Sequence, residues 1–478
     1  MFFPVGVNGT SARHATIASR ATTYVIMASS SVAIVTWSIL QWRARKRARS
    51  IAANAERMVQ DGMMINCNDP KVRARVLNNA IKCAQKWMSF LDIDNAKPMS
   101  GQVGGVSFHK RPMLTLAPDY ILKPLHIDHR GFREIAFYEA IKQARRQAAL
   151  SDIAREIRDE TKNSATDALL GSVALENCDA LAMWLAMFTE DAVVAESEHT
   201  LVSSWRAVLR EVELLRRLST FTAEYYGVIG QDLIKEDPTV GSVPLVSEIS
   251  SNSYLLLADA TVNFSKPCAI DLKMGRRSYE PDATLDKQRR EISKYPLQAV
   301  FGFRIVGMRV YDPSHPEADH LGFRKFEKSF GRSLGTRQSV VDAFRTFFHR
   351  IDNPAESDAS VCGGSQRYER SSSEIGDKFN DEIRTRPICN LLRDLRCLKN
   401  WFEDNKSLAF YSSSILMVYE GDTSVGSNRD VANVKMIDFG HVRRECGGDE
   451  GYLHGLRTLI GILNEILGES NEVDSQEF

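Results

Sequence analysis

Between Lys266 and Arg276 runs Pro267-Cys268-Ala269-Ile270-Asp271-Leu272-Lys273-Met274-Gly275, an apolar stretch broken by two opposite charges two residues apart. Read as a β-strand, it sends Asp271 and Lys273 to one face and Ile270 and Leu272 to the other, because successive side chains alternate. A carboxylate beside an ammonium on a polar strand face suits the handling of a phosphate, and Gly275 lets a second backbone come close. The same pair equally fits a surface ion pair worth little. The nonapeptide by itself leaves both readings open.

Three further stretches bear on the choice. Met436-Ile437-Asp438-Phe439-Gly440-His441 is an apolar strand ending in Asp, one way to present a Mg²⁺ ligand to nucleotide phosphates, though also simply a strand running into a turn. Ile121-Leu122-Lys123-Pro124 is a strand with one Lys, and Arg133-Glu134 follows on the next helix. Phosphotransferases of the protein-kinase type pair such a Lys and Glu to hold nucleotide phosphates. The chain has neither a G-x-G-x-x-G loop nor an H-R-D loop, which excludes an ordinary protein kinase. From Thr284 to Lys294 the spacing predicts a basic helix with Lys287, Arg290 and Lys294 on one face. That face is either a solvated one or a rigid set of cations for a polyanion.

Together these residues resemble the inositol polyphosphate kinase family, whose P-x-x-x-D-x-K-x-G signature is met by Pro267, Asp271, Lys273 and Gly275. Stretches similar to the family follow in its order: 121–125, 133–139, Tyr225-Tyr226-Gly227, 307–311, 331–334, 410–416 and 437–439. Ser278-Tyr279, 293–297 and 418–421 look most like the multikinase branch. The resemblance implies a two-lobed α+β fold, like that of protein kinases and ATP-grasp enzymes, with ATP between the lobes. It implies ATP- and Mg²⁺-dependent transfer of the γ-phosphate to a hydroxyl of an inositol phosphate. Lys123 would contact ATP phosphates and Glu134 would orient it. Leu257, Ala258 and Asp259 would form the adenine hinge, with Ala258 where the family usually has Glu. Asp271 would serve the ribose or the reacting hydroxyl, and Lys273 would bridge substrate and transferred phosphates. Asp438 would bind Mg²⁺. His441 would face the substrate with Lys287, Arg290 and Lys294. Arg290 stands where the multikinase branch commonly has Gln, which suggests a more phosphorylated ring. The alternatives are an inositol hexakisphosphate kinase making pyrophosphates and a membrane-tethered scaffold without catalysis. A phosphoinositide lipid is a further conceivable substrate.

Composition fits a globular protein, with 43% hydrophobic and 26% charged residues among 478. The 61 basic and 61 acidic residues cancel, yet the first fifty residues carry seven basic residues and no acid, leaving a net charge of −7 beyond them. A mildly acidic bulk argues against a general nucleic-acid binder. Residues 1–55 read as a basic leader whose uncharged segment 21–42 is long enough to cross a bilayer, followed by five basic residues in seven. The expectation is a membrane-anchored protein with a cytosolic catalytic domain; organelle import or nuclear import would use the same composition. Residues 56–100 read as a helical connector. Residues 101–260 read as an N-lobe with a helical insertion at 143–210, and 261–470 as a C-lobe. A Ser- and Gly-rich surface loop is expected at 355–380, then two helices at 386–405.

Overall fold

The computed structural model describes residues 70–99, 101–103, 111–117, 119–142, 144–145, 213–230, 249–349, 383–422 and 432–468, all of them in one compact unit. The leader 1–55, nearly all of the insertion at 143–210, and the loop at 355–380 lie outside these residues. The expected membrane anchoring is corrected: no helix among the described residues is long and apolar enough to cross a membrane. The candidate segment 21–42 itself lies outside them.

Two antiparallel five-stranded sheets make an α+β architecture. The first contains β1 (Lys97–Pro98), β2 (Leu114–Leu116), β3 (Tyr120–Pro124), β4 (Tyr225–Gly230) and β5 (Ser253–Ala258), in the order β1-β2-β3-β5-β4. The second contains β6 (Pro267–Met274), β7 (Phe303–Tyr311), β8 (Phe323–Phe326), β10 (Ser414–Glu420) and β11 (Ala432–Ile437), in the order β11-β10-β6-β7-β8. A short pair, β9 (Leu408–Phe410) with β12 (Val442–Arg444), lies beside it in the chain.

Helix α1 (Pro70–Met88), within the stretch expected to be a connector, is part of the core of the first sheet. Ala74, Leu77, Ile81 and Ala84 recur at three- and four-residue spacing and are all buried. The helix sits so close to β4 that a Cβ on Gly227 would lie 2.4 Å from the Ala80 carbonyl. Gly227 also has φ 140°, just after a bulge in the β4–β5 ladder, so both space and backbone call for glycine. Helix α2 (129–142) follows β3 directly and buries residues 131–141.

Strand β6 is central, paired on one side with β10 and on the other with β7. Asp271 and Lys273 share a face as alternation requires, yet that face is not a solvated polar one: Asp271 is only 3% exposed. Asp271 lies opposite Leu416 of β10 and Gly307 of β7, and Lys273 lies opposite Ser414 and Arg304. The chain from Thr385 to Asp404 is one helix, where two were expected. Pro387 sits in its first turn, where a missing N–H costs no intrahelical bond, and so does not divide it. A last helix, Glu450–Ile466, buries Leu456, Leu459 and Leu463.

Candidate active site

Strand β3 alternates, with Leu122 and Pro124 buried and Lys123 on the other side. Lys123 Nζ donates to Glu134 Oε1 of α2 at 2.5 Å and to Asp438 Oδ1 at 2.7 Å. Glu134, whose side chain is 1% exposed, also accepts the Phe439 N–H at 3.2 Å. One buried carboxylate thus ties the lysine of the first sheet to the backbone just after β11. The ring of Phe439 fixes the same point from the apolar side. It is fully buried against Phe137 at 4.3 Å, Tyr138 at 5.3 Å and Phe410 at 6.4 Å between ring centroids.

Asp438 therefore has little freedom, and its backbone is left-handed at φ 67°. Left-handed non-glycine residues are uncommon and gather at functional sites. Its Oδ2 lies 3.7 Å from Lys273 Nζ, and its side chain is 36% exposed. Burial opposes the carboxylate's charge, but Lys123 and Lys273 outweigh that effect and hold its pKa well below the usual range. Lys123 is the mirror case. Burial disfavours its ammonium, yet Asp438 and Glu134 raise its pKa well above the usual lysine range.

Lys273 Nζ donates to the Ser412 carbonyl at 2.7 Å. Asp271, two residues earlier, is buried with Oδ1 lacking a hydrogen-bond partner among the described residues. Burial is the main cause that pushes its pKa up to about 6; Lys273 works against the rise and Asp438 adds to it. Such a carboxylate is ionised at neutral pH while remaining a useful proton acceptor.

Along the same face an apolar patch adjoins Asp271. Phe264, Ala269 and Val418 form its buried part, with Val103 and Leu416 packed against them. The expected hinge lies at the end of β5. Leu257 is buried within β5, the Ala258 N–H donates to the Glu224 carbonyl at 2.9 Å, and the Asp259 N–H donates to the Asp119 carbonyl at 2.8 Å. The Asp259 carboxylate accepts from the N–H and hydroxyl of Thr261 at 2.8 and 2.7 Å. The side chain of Asp259 and both N–H groups are therefore committed to protein partners.

The third group of expected residues meets at Glu280, which the sequence did not single out. Its carboxylate receives Arg133 of α2 at 2.9 Å, lies 3.2 Å from His441 Nδ1, and has Lys287 Nζ at 3.4 Å. Lys287 belongs to helix α3 (Leu285–Lys294), so Glu280 joins three separate segments. Burial raises its pKa, but the bond to His441 and the charges of His441, Arg133 and Arg443 hold it well below the usual value. On α3, Lys294 pairs within the helix with Glu291 at 2.5 Å. Arg290 is exposed and makes no ion pair among the described residues.

The structure thus gathers Lys123, Glu134, Asp271, Lys273 and Asp438 at one point and holds His441 and Lys287 together through Glu280. It does not bring Arg290 or Lys294 into direct contact with either group. Glu280 follows the Ser278-Tyr279 pair, and the apolar patch is implicit in the alternation of β6 and β10. Ser412 falls within the family-like stretch 410–416, but nothing in the run of three serines marks it out.

A family model for inositol polyphosphate kinase matches residues 254–464. Human inositol polyphosphate multikinase is 30% identical over 210 residues, covering 44% of this chain and 38% of that protein. Mouse inositol hexakisphosphate kinase 3 is 31% identical over 241 residues, covering 46% of this chain and 52% of that protein. The chain thus spans well under two thirds of the human relative's length. Inositol polyphosphate multikinase alpha of Arabidopsis thaliana is 31% identical over 225 residues, which make up 46% of this chain and 71% of that protein. With signature, site residues and a relative matched over most of its length in agreement, the chain belongs to the inositol polyphosphate kinase family.

Proposed function

We propose that the protein transfers the γ-phosphate of ATP to a ring hydroxyl of an inositol polyphosphate, with a divalent cation, Mg²⁺ by its chemistry, at Asp438. The observation that carries this reading is the convergence of two lysines from different sheets on one carboxylate: Lys123 at 2.7 Å and Lys273 at 3.7 Å from Asp438. Phosphoryl transfer asks little covalent chemistry of a protein and much positioned positive charge. Lys123, held by Glu134, takes the nucleotide phosphates, and Lys273 the phosphoryl group in transit. Asp438 suits a hard cation, since its side chain is 36% exposed and Lys273 lies beyond hydrogen-bond range of Oδ2. Mg²⁺ needs only one or two protein carboxylates and completes its shell with water and phosphate oxygens. No cluster of three or more acidic, His or Cys ligands among the described residues is therefore required, and none is found there. Bound at Asp438, the cation would neutralise charge on the phosphates.

The apolar cluster of Val103, Phe264, Ala269, Leu416 and Val418 packs against the adenine, with 257–259 as the hinge. Asp271, next to it, is the acceptor for the proton of the attacking hydroxyl. Lys287, Arg290, Lys294 and His441 face the substrate's phosphates. One observation favours the second reading, a hexakisphosphate kinase: Arg290 stays exposed without an ionic partner among the described residues, a spare cation for a fuller ring.

A panel of inositol tris- to hexakisphosphates with Mg²⁺ and ATP, plus one phosphoinositide, tests the proposal by product identification. The expected result is phosphorylation of a ring hydroxyl, abolished in folded Lys273→Ala. A pyrophosphate made from the hexakisphosphate would select the second reading. No transfer to any inositol phosphate by the folded protein would reject both.

A further inference from the structure

Among the described residues only two other than glycine have positive φ, Ser412 at 56° and Asp438 at 67°. Both are partners of Lys273: the Ser412 carbonyl accepts from its Nζ at 2.7 Å, and the Asp438 carboxylate lies at 3.7 Å. Left-handed backbone in a non-glycine residue persists only where its surroundings over-determine it. Around Ser412 they do. Tyr411 is tied through its hydroxyl to Glu445 and to Arg277, the latter at 2.8 Å. On the other side, the Ser413 hydroxyl donates to the Ile437 carbonyl at 3.0 Å, and the Ser413 carbonyl accepts the Met274 N–H at 3.0 Å. Both neighbours of Ser412 are pinned, and the residue between them turns its carbonyl toward Lys273.

We propose that Ser412 is a positioning residue whose left-handed backbone holds the ammonium of Lys273 in register for phosphoryl transfer. A flexible four-carbon side chain has many rotamers, and the attraction of Asp438 is directionless. The carbonyl adds a fixed direction, and it does so with a neutral group, which leaves the lysine's positive charge available to a phosphate. The work is done by the main chain, so the serine hydroxyl is dispensable while the left-handed conformation is not. This inference rests on the proposed role of Lys273.

The test compares Ser412→Thr with Ser412→Gly in the full chain, with Lys273→Ala as reference. Threonine keeps the hydroxyl but adds a branch at Cβ that the left-handed region disfavours. Its kcat should fall by about 100-fold, the scale of a misplacement near 1 Å, with KM for ATP within about threefold of the parent. Glycine adopts the same φ without strain and should restore kcat. Melting temperatures report folding, and should the threonine variant not fold, Ser412→Ala against Ser412→Asn repeats the comparison, since Asn tolerates the conformation better. A glycine variant as slow as the threonine one, a threonine or alanine variant with parental kcat, or KM for ATP rising as kcat falls would each overturn the inference. Full activity in Lys273→Ala would instead remove the reading on which it rests.

Discussion

A carboxylate that is nine-tenths buried beside a lysine ordinarily keeps a low pKa, because the cation favours its charged form. Asp271 departs from that because its burial outweighs the neighbouring Lys273, and Asp438 adds to the rise. Burial wins, and the pKa rises from 3.8 to about 6. Two measurable consequences have opposite signs. As the proposed proton acceptor, Asp271 must be ionised, so kcat should fall as pH drops below about 6, and Asp271→Asn should abolish turnover. For stability, the folded pKa lies above the unfolded one, so the native state favours the protonated form. Stability therefore declines as pH rises from about 4 to 6 and stays lower above that. A shift of about two units corresponds to ~3 kcal/mol. Asp271→Asn should accordingly melt higher than the parent at pH 7.5, with the gain gone near pH 4. A variant that keeps its turnover, or that melts lower at pH 7.5, would contradict the assignment.

At the scale of elements, periodicity reveals the residues that each strand or helix presents, and convergence between elements stays hidden. Asp271 and Lys273 on one face of β6, Lys123 on β3 and Glu134 a helical turn into α2 were legible because alternation and helical spacing are local. Glu280 was not. It lies in the loop between β6 and α3, and nothing in its neighbourhood of sequence says that Arg133, 147 residues away, will reach it. Ser412 was equally silent, since a run of three serines gives no sign that one is left-handed. Glu280 matters because α2, α3 and the turn at His441 share it as an anchor. Glu280→Gln keeps the shape and removes the charge that orients His441 and Lys287. KM for the inositol phosphate should rise about tenfold while KM for ATP stays put, and Glu280→Ala should in addition lose about 3 kcal/mol by removing one side of the buried ion pair with Arg133. Steady-state kinetics with each substrate varied in turn decides this; an unchanged KM for the inositol phosphate in both variants would sink the anchoring role.

Across the whole molecule, two different kinds of contact meet within a few residues of each other just after β11. One is ionic, Lys123 to Asp438 at 2.7 Å. The other is apolar, with Phe439 buried among Phe137, Tyr138 and Phe410. Lys123 also pairs with Glu134, whose side chain is 1% exposed, so removing the lysine leaves a buried carboxylate without its cation and destabilises the fold. A fully buried phenylalanine contributes about 3–5 kcal/mol on truncation to alanine. Lys123→Met should therefore melt lower than the parent and lose ATP turnover. Phe439→Ala should melt far lower, and in the fraction still folded below the transition its affinity for ATP should also drop, because Glu134 and Asp438 no longer share a fixed backbone. Thermal melts with and without ATP and Mg²⁺ separate the two. The nucleotide should raise the melting temperature of the parent clearly, of Phe439→Ala only slightly, and of Lys123→Met hardly at all. Equal nucleotide stabilisation in the parent and Lys123→Met would show that the lysine does not hold the phosphates. An unchanged melting temperature in Phe439→Ala would show that its ring does not hold the fold.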